Sequence, residues 1–98
     1  MLEKLAASGG GDSFAGYALA LEYGRVGRTD DALRAFEAVR SRDPDYLPMY
    51  LMAGRLLIDR GDPAAARGWL EQGAAVARRQ GNAKALGEIG AALAEAGG

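Results

Sequence analysis

Neither histidine nor cysteine occurs in this 98-residue chain. That removes the commonest general base, the thiolate nucleophile and nearly every transition-metal ligand, so acid–base, covalent or metal-assisted catalysis has no ready carrier. Disulfides are excluded by the same count, which permits a reducing compartment. No run of about 20 apolar residues is present to span a membrane, and the opening Met1-Leu2-Glu3-Lys4-Leu5 lacks the uninterrupted apolar stretch of a secretion signal. An excess of one charge is missing too. Twelve basic residues meet 13 acidic ones, interleaved along the chain, so no general attraction to polyanions or anionic membranes follows. Together these absences lead us to expect a soluble, cytoplasmic, non-catalytic protein with no cofactor and no metal.

What the chain has instead is a 34-residue echo. Ala20 and Gly54, Tyr23 and Leu57, Gly27 and Gly61, Ala32 and Ala66, and Phe36 and Leu70 each stand 34 positions apart, small matched to small and bulky to bulky. A fixed period of this length means one supersecondary unit used again, because a single unit cannot bury its own apolar face.

Local punctuation divides the chain into five helices and a short opening turn. Gly9-Gly10-Gly11 reads as a flexible joint after a turn over 1–7 that has Leu2 and Leu5 on one face, and Asp12 or Ser13 is placed to cap a helix reaching about Val26. Gly27 suits a left-handed stop, Thr29 a second cap, and Asp30 and Asp31 the positive end of the helix dipole. Asp43-Pro44 ends that second helix, and a third runs from about Leu47 to Arg60 with Gly61 closing it. Asp62 followed by Pro63 starts a long fourth helix through Trp69, Leu70 and Val76 to Arg79. After a turn at Gly81-Asn82, a fifth covers Ala83 to about Ala96, with Leu86, Ile89 and Leu93 on one stripe and a frayed Gly97-Gly98 end.

Leu19, Ala20, Tyr23, Gly27, Ala32, Phe36 and Pro44, echoed by Ala53, Gly54, Leu57, Gly61, Ala66 and Leu70, resemble the tetratricopeptide repeat pattern. Leu86, Ile89, Gly90 and Leu93 resemble the first helix of a third unit, reached by a longer step of 36 residues from Gly54 to Gly90. The chain departs from the pattern at Gly16, which occupies the first unit's tryptophan position, at Gly73, where the fourth helix would carry alanine, and at Arg78, where a closing proline would stand. The resemblance covers the chain from Ser13 onward. It implies an all-α, right-handed α-solenoid of antiparallel helix pairs, two and a half repeats with a C-terminal capping helix. Residues 1–11 are then a short helical cap and glycine linker, 12–96 the domain (repeat one 13–46, repeat two 47–82, capping helix 83–96), and 97–98 a frayed end.

The same resemblance implies a protein–protein interaction scaffold, in which the first helix of each repeat lines a concave groove for a peptide or partner helix. Helical wheels agree with a surplus face. Helix one places Leu19, Tyr23 and Val26 in one arc and Phe14, Tyr17 and Leu21 about half a turn away, while helix three separates Met49, Ala53, Leu56 and Leu57 from Leu51, Arg55 and Ile58. Helix five brings Lys84, Gly87 and Ala91 to the matching positions, making that end of the groove small and basic. The expected partner surface is Phe14, Tyr17, Leu21, Arg25, Leu51, Arg55, Ile58 and Lys84, since apolar patches rimmed by charge mark interfaces. Phe14 and Tyr17 have a second reading, as core beneath the 1–7 segment.

Other chemistries are set against these. The positions resembling the carboxylate clamp, by which some family members hold an acidic C-terminal tail, are Tyr17, Leu21 and Met52, which carry no suitable donors. Asp30-Asp31 and Asp43/Asp45 suit helix ends and turns better than acid–base work. Gly87-Glu88-Ile89-Gly90 spells a nucleic-acid-binding loop but falls within a helix, and Trp69 suits inter-helix packing. Two alternatives to the groove stay open: a homodimer or larger homo-oligomer stacked through Ala91, Ala92, Ala94 and Ala96, and a nucleic-acid binder, against which the balanced charge argues.

Overall fold

The computed structural model describes residues 10–97, with side chains from Ser13 onward. Within them lie five helices: α1 (Gly10–Arg25), α2 (Thr29–Arg42), α3 (Pro48–Arg60), α4 (Pro63–Gln80) and α5 (Ala83–Gly97). The described residues contain no strand. Two ends differ from expectation. Helix α1 begins inside the glycine run, so Gly10 and Gly11 are helical and not a joint, and α5 continues through Gly97. At the first of these ends a tertiary bond supports the helix where propensity does not, because the buried Ser13 hydroxyl donates to Asp43 Oδ2 at 2.8 Å. The expected turn over 1–7 and the residue Gly98 lie outside the described residues.

The chain divides into two compact units, Met1–Met49 and Tyr50–Gly98, the boundary falling in the first turn of α3. In the first unit the core is Ala20, Ala32, Phe36, Val39, Leu47 and Met49. The buried line of α1 is made of small side chains, and a Cβ built on Gly16 would stand 2.6 Å from Val39 Cγ2, so α2 rests against the backbone of α1. In the second unit the core is Tyr50, Ala53, Leu57, Ala66, Trp69, Leu70, Ala74, Val76, Ala77, Ile89 and Ala92. There a Cβ on Gly54 would meet Leu70 Cδ2 at 2.5 Å, and one on Gly73 would meet Tyr50 Cβ at 2.5 Å and Ile89 Cδ1 at 3.2 Å. Trp69 is buried against Tyr50, ring centroids 6.1 Å apart, in keeping with a packing role.

Three turns share one construction. Gly27, Gly61 and Gly81 adopt φ of +84°, +88° and +66°, where a side chain would be strained. The next residue in each case returns its N–H to a carbonyl one turn back: Arg28 to Tyr23 at 2.8 Å, Asp62 to Leu57 at 2.9 Å, Asn82 to Ala77 at 2.9 Å. That residue also begins the following helix. Asp62 Oδ1 accepts from the Ala65 N–H at 3.2 Å, with Pro63 in the first helical position, and Asn82 Oδ1 accepts from the Ala85 N–H at 3.0 Å. Arg28 has no oxygen to offer. Thr29, expected as the cap of α2, is already helical, and no side chain caps this end. Arg28 Nε donates instead to Asp31 Oδ2 at 2.7 Å, and its guanidinium lies 5.0 Å over the Tyr23 ring.

Candidate partner-binding faces

On α1 the residues that turn inward are Ser13 and Ala20, with Gly16 between them. Because this buried line is narrow and small, both bulky arcs of the helix flank it and reach solvent. Phe14 is 63% exposed, Tyr17 and Leu21 are half-buried and Arg25 is exposed. On the opposite flank Leu19 is 49% and Val26 53% exposed, with Tyr23 half-buried, so this arc is not the covered side that the repeat pattern suggested. The wheel resolved two apolar arcs, and the small-residue line between them is what packs. For Phe14 the described residues show an exposed ring. Tyr17 is intermediate, packed at 6.3 Å from Phe36 and 5.4 Å from Tyr46, its hydroxyl raised above the usual tyrosine range by burial and then by Tyr46.

Helix α3 separates its faces more cleanly. Met49, Ala53 and Leu57 are buried, whereas Leu51 and Ile58 are half-buried and Arg55 is exposed. Leu56, grouped with the inner face in the wheel, is half-buried as well. On α5 Lys84, Gly87 and Ala91 are exposed, and a Cβ built on Gly87 or Gly90 would meet nothing within 4 Å beyond the adjoining backbone of its own helix.

Electrostatically these faces are less basic than their arginines suggest. Arg25 is ion-paired with Glu22 one turn earlier on α1, a pairing that lowers the Glu22 carboxyl and raises the guanidinium. Arg55 Nη1 bonds Glu95 Oε2 of α5 at 3.1 Å. Both pairs are exposed to solvent that screens them, so they orient the arginines more than they stabilise the fold. Glu95 therefore corrects the expectation of a small and basic end: an acid joins Lys84 on one arc of α5. Nothing local in the sequence links positions 55 and 95. Missed as well was the Ser13–Asp43 bond, where Asp43 was read only as a turn residue, and the proximity of Tyr46 to Tyr17. Among the described residues no group of acidic side chains could hold a metal ion, and no helix is long and apolar enough to cross a membrane.

This architecture has known counterparts. Residues 25–89 match the tetratricopeptide repeat family, and the chain belongs to that family. It is similar to the tetratricopeptide repeat domain protein of Salinibacter ruber, whose crystal structure superposes with a TM-score of 0.80 at 35% identity, covering 88% of this chain and 97% of that one. The solution structure of a tetratricopeptide repeat domain protein from the same organism gives 0.79 at 34% identity, over 86% and 85%. A protein from Bordetella parapertussis gives 0.79 at 28% identity, over 98% of this chain and 84% of its own. No curated protein matches the chain. Domains of this all-α helical-repeat class are in general protein–protein interaction modules without catalytic function.

Proposed function

We propose that this protein is a non-catalytic interaction scaffold that takes a peptide or helix of another protein against the outward faces of its first helices. In the first unit the contact residues are Phe14, Tyr17, Leu21 and Arg25, and in the second Leu51, Arg55, Ile58 and Lys84. The observation that carries this reading is on α3: Leu51 and Ile58 keep apolar surface in water beside Arg55, while Leu57, on the same helix, is 3% exposed. A helix that buries one stripe and leaves a second apolar stripe rimmed by charge has a face to offer.

The test is Leu51→Ser combined with Ile58→Ser, compared with Leu57→Ser. Thermal melting is followed alongside mass-spectrometric comparison of the proteins retained from lysate by each form. The double variant is expected to melt near the parent while losing retained proteins, and Leu57→Ser to melt much lower. A double variant melting as low as Leu57→Ser, or retaining an unchanged set of proteins, contradicts the assignment.

A further inference from the structure

The first unit holds an aromatic and acidic corner that the repeat pattern does not require. Tyr17 of α1 and Tyr46 of the α2–α3 connection stand with ring centroids 5.4 Å apart and planes at 60°, and the buried Phe36 lies 6.3 Å from Tyr17. Both tyrosines are half-buried, so each retains some surface toward solvent. Asp43 follows the last residue of α2, its backbone N–H on the Val39 carbonyl at 2.7 Å and its own carbonyl accepting from Tyr46 N–H at 3.0 Å, which keeps the carboxylate and the Tyr46 ring on one short turn. Ser13 donates to Oδ2 of Asp43 at 2.8 Å. A carboxylate accepts up to about four hydrogen bonds, so this one leaves most of its acceptor capacity. The carboxylate is close enough that, after burial, its charge is what raises the Tyr46 hydroxyl above its usual range.

The same chain shows what such a set of groups holds. In the Arg28 turn a guanidinium lies 5.0 Å over the Tyr23 ring while its Nε donates to Asp31 Oδ2 at 2.7 Å. One tyrosine face and one carboxylate there flank one guanidinium. Asp43, Tyr46 and Tyr17 repeat that composition with a second ring added, beside the exposed Phe14 one turn away on α1.

We propose that Tyr17, Tyr46 and Asp43 form a subsite for the guanidinium of an arginine presented by the protein partner; this deepens, and rests on, the interaction reading above. Arginine suits the site better than lysine because its planar cation stacks on aromatic faces and can give two N–H groups to one carboxylate.

The experiment is an NMR titration of the whole chain with N-acetyl-arginine amide, followed on the ring signals of Tyr17 and Tyr46, with N-acetyl-citrulline amide as the uncharged isostere. Saturable shifts of both rings are expected with the arginine derivative, with affinity roughly tenfold lower for citrulline and for Asp43→Asn, as expected when a charge-assisted contact is lost. Because Asp43 also holds Ser13, Tyr46→Leu gives an independent reading, in which the Tyr17 ring should no longer respond. Equal shifts with citrulline, or unchanged arginine binding in Asp43→Asn and Tyr46→Leu, overturn the subsite. Ring signals that do not move while the α3 double variant still loses retained proteins overturn the subsite alone and leave the scaffold reading standing.

Discussion

The two units build the same helix crossing with the sizes exchanged. In the first, the small residue is on the first helix and the bulky one on the second: Gly16 of α1 lies under Val39 of α2. Thirty-four positions later the bulky residue, Tyr50, is on α3 and the small one, Gly73, is on α4. Each glycine is a departure from the family pattern when read singly. Read as pairs they are compensations, because what a close-packed crossing requires is the combined volume of the facing side chains and not either identity. Where the units agree in size, as at Ala32 and Ala66, both positions are fully buried.

Those two alanines carry the largest predicted effect. Ala32→Leu and Ala66→Leu each insert three carbons where α2 and α4 are fully covered, and each should cost about 1–3 kcal/mol in denaturant unfolding. The comparison predicts similar losses in the two units. A loss confined to one of them would show that the second position is not a true counterpart of the first.

Next come the turns. Asp62→Ala and Asn82→Ala each remove a side-chain oxygen from a helix N-terminus and should cost about 1 kcal/mol apiece. Arg28→Ala at the equivalent place removes no cap and gives up only an exposed ion pair and a ring contact, so its loss should be smaller, about 0.5 kcal/mol. Equal losses at all three stations would mean that Arg28 serves its helix by a route other than the one seen.

The smallest effect is electrostatic. The Asp31 carboxyl is held below the usual range chiefly by the Arg34 hydrogen bond, which burial opposes, and then by the hydrogen bond and charge of Arg28. A carboxyl depressed in the folded state adds stability that is fully present above its unfolded pKa of about 3.9 and is lost as pH falls through the lower folded value. Melting of the parent and of Asp31→Asn should therefore differ at pH 7, converge toward pH 2, and differ less in high salt. A difference that persists at pH 2 would assign Asp31 a role other than charge.

What the sequence disclosed follows the range of the interactions. The helix ends set by Gly61, Asp62-Pro63 and Gly81 are decided within a few residues, and they stand where local chemistry puts them. The first turn was misjudged because Arg28 occupies a station where a cap was expected, and Thr29 was the nearest oxygen in view. The start of α1 was missed for the opposite reason, since a bond from residue 13 to residue 43 supports a glycine-rich segment that propensity alone would leave open. On the faces, the α3 division between Leu57 and Leu51 was legible because its period is clean. The burial of α1 was not, because its packing line is glycine, alanine and serine, residues that a hydrophobic wheel does not weight. Arg55–Glu95 and Tyr17–Tyr46 join residues whose adjacency only the folded chain defines.

The exchange of sizes at the helix crossing is tested most directly by one pair of substitutions on a single helix. Gly73 and Gly68 both lie in α4, and alanine at either improves helix propensity by about 1 kcal/mol. At Gly68 the new methyl group meets nothing within 4 Å beyond the adjoining backbone of its own helix, whereas at Gly73 the methyl stands 2.5 Å from Tyr50 Cβ, an atom fixed to the backbone of α3. Urea unfolding should therefore show Gly68→Ala more stable than the parent, by up to about 1 kcal/mol, and Gly73→Ala less stable by about 1–2 kcal/mol, since overpacking outweighs propensity there. Stabilisation of similar size by both substitutions would show that Tyr50 leaves room for a side chain at residue 73, and that the opposed sizes in the two units are not a packing requirement.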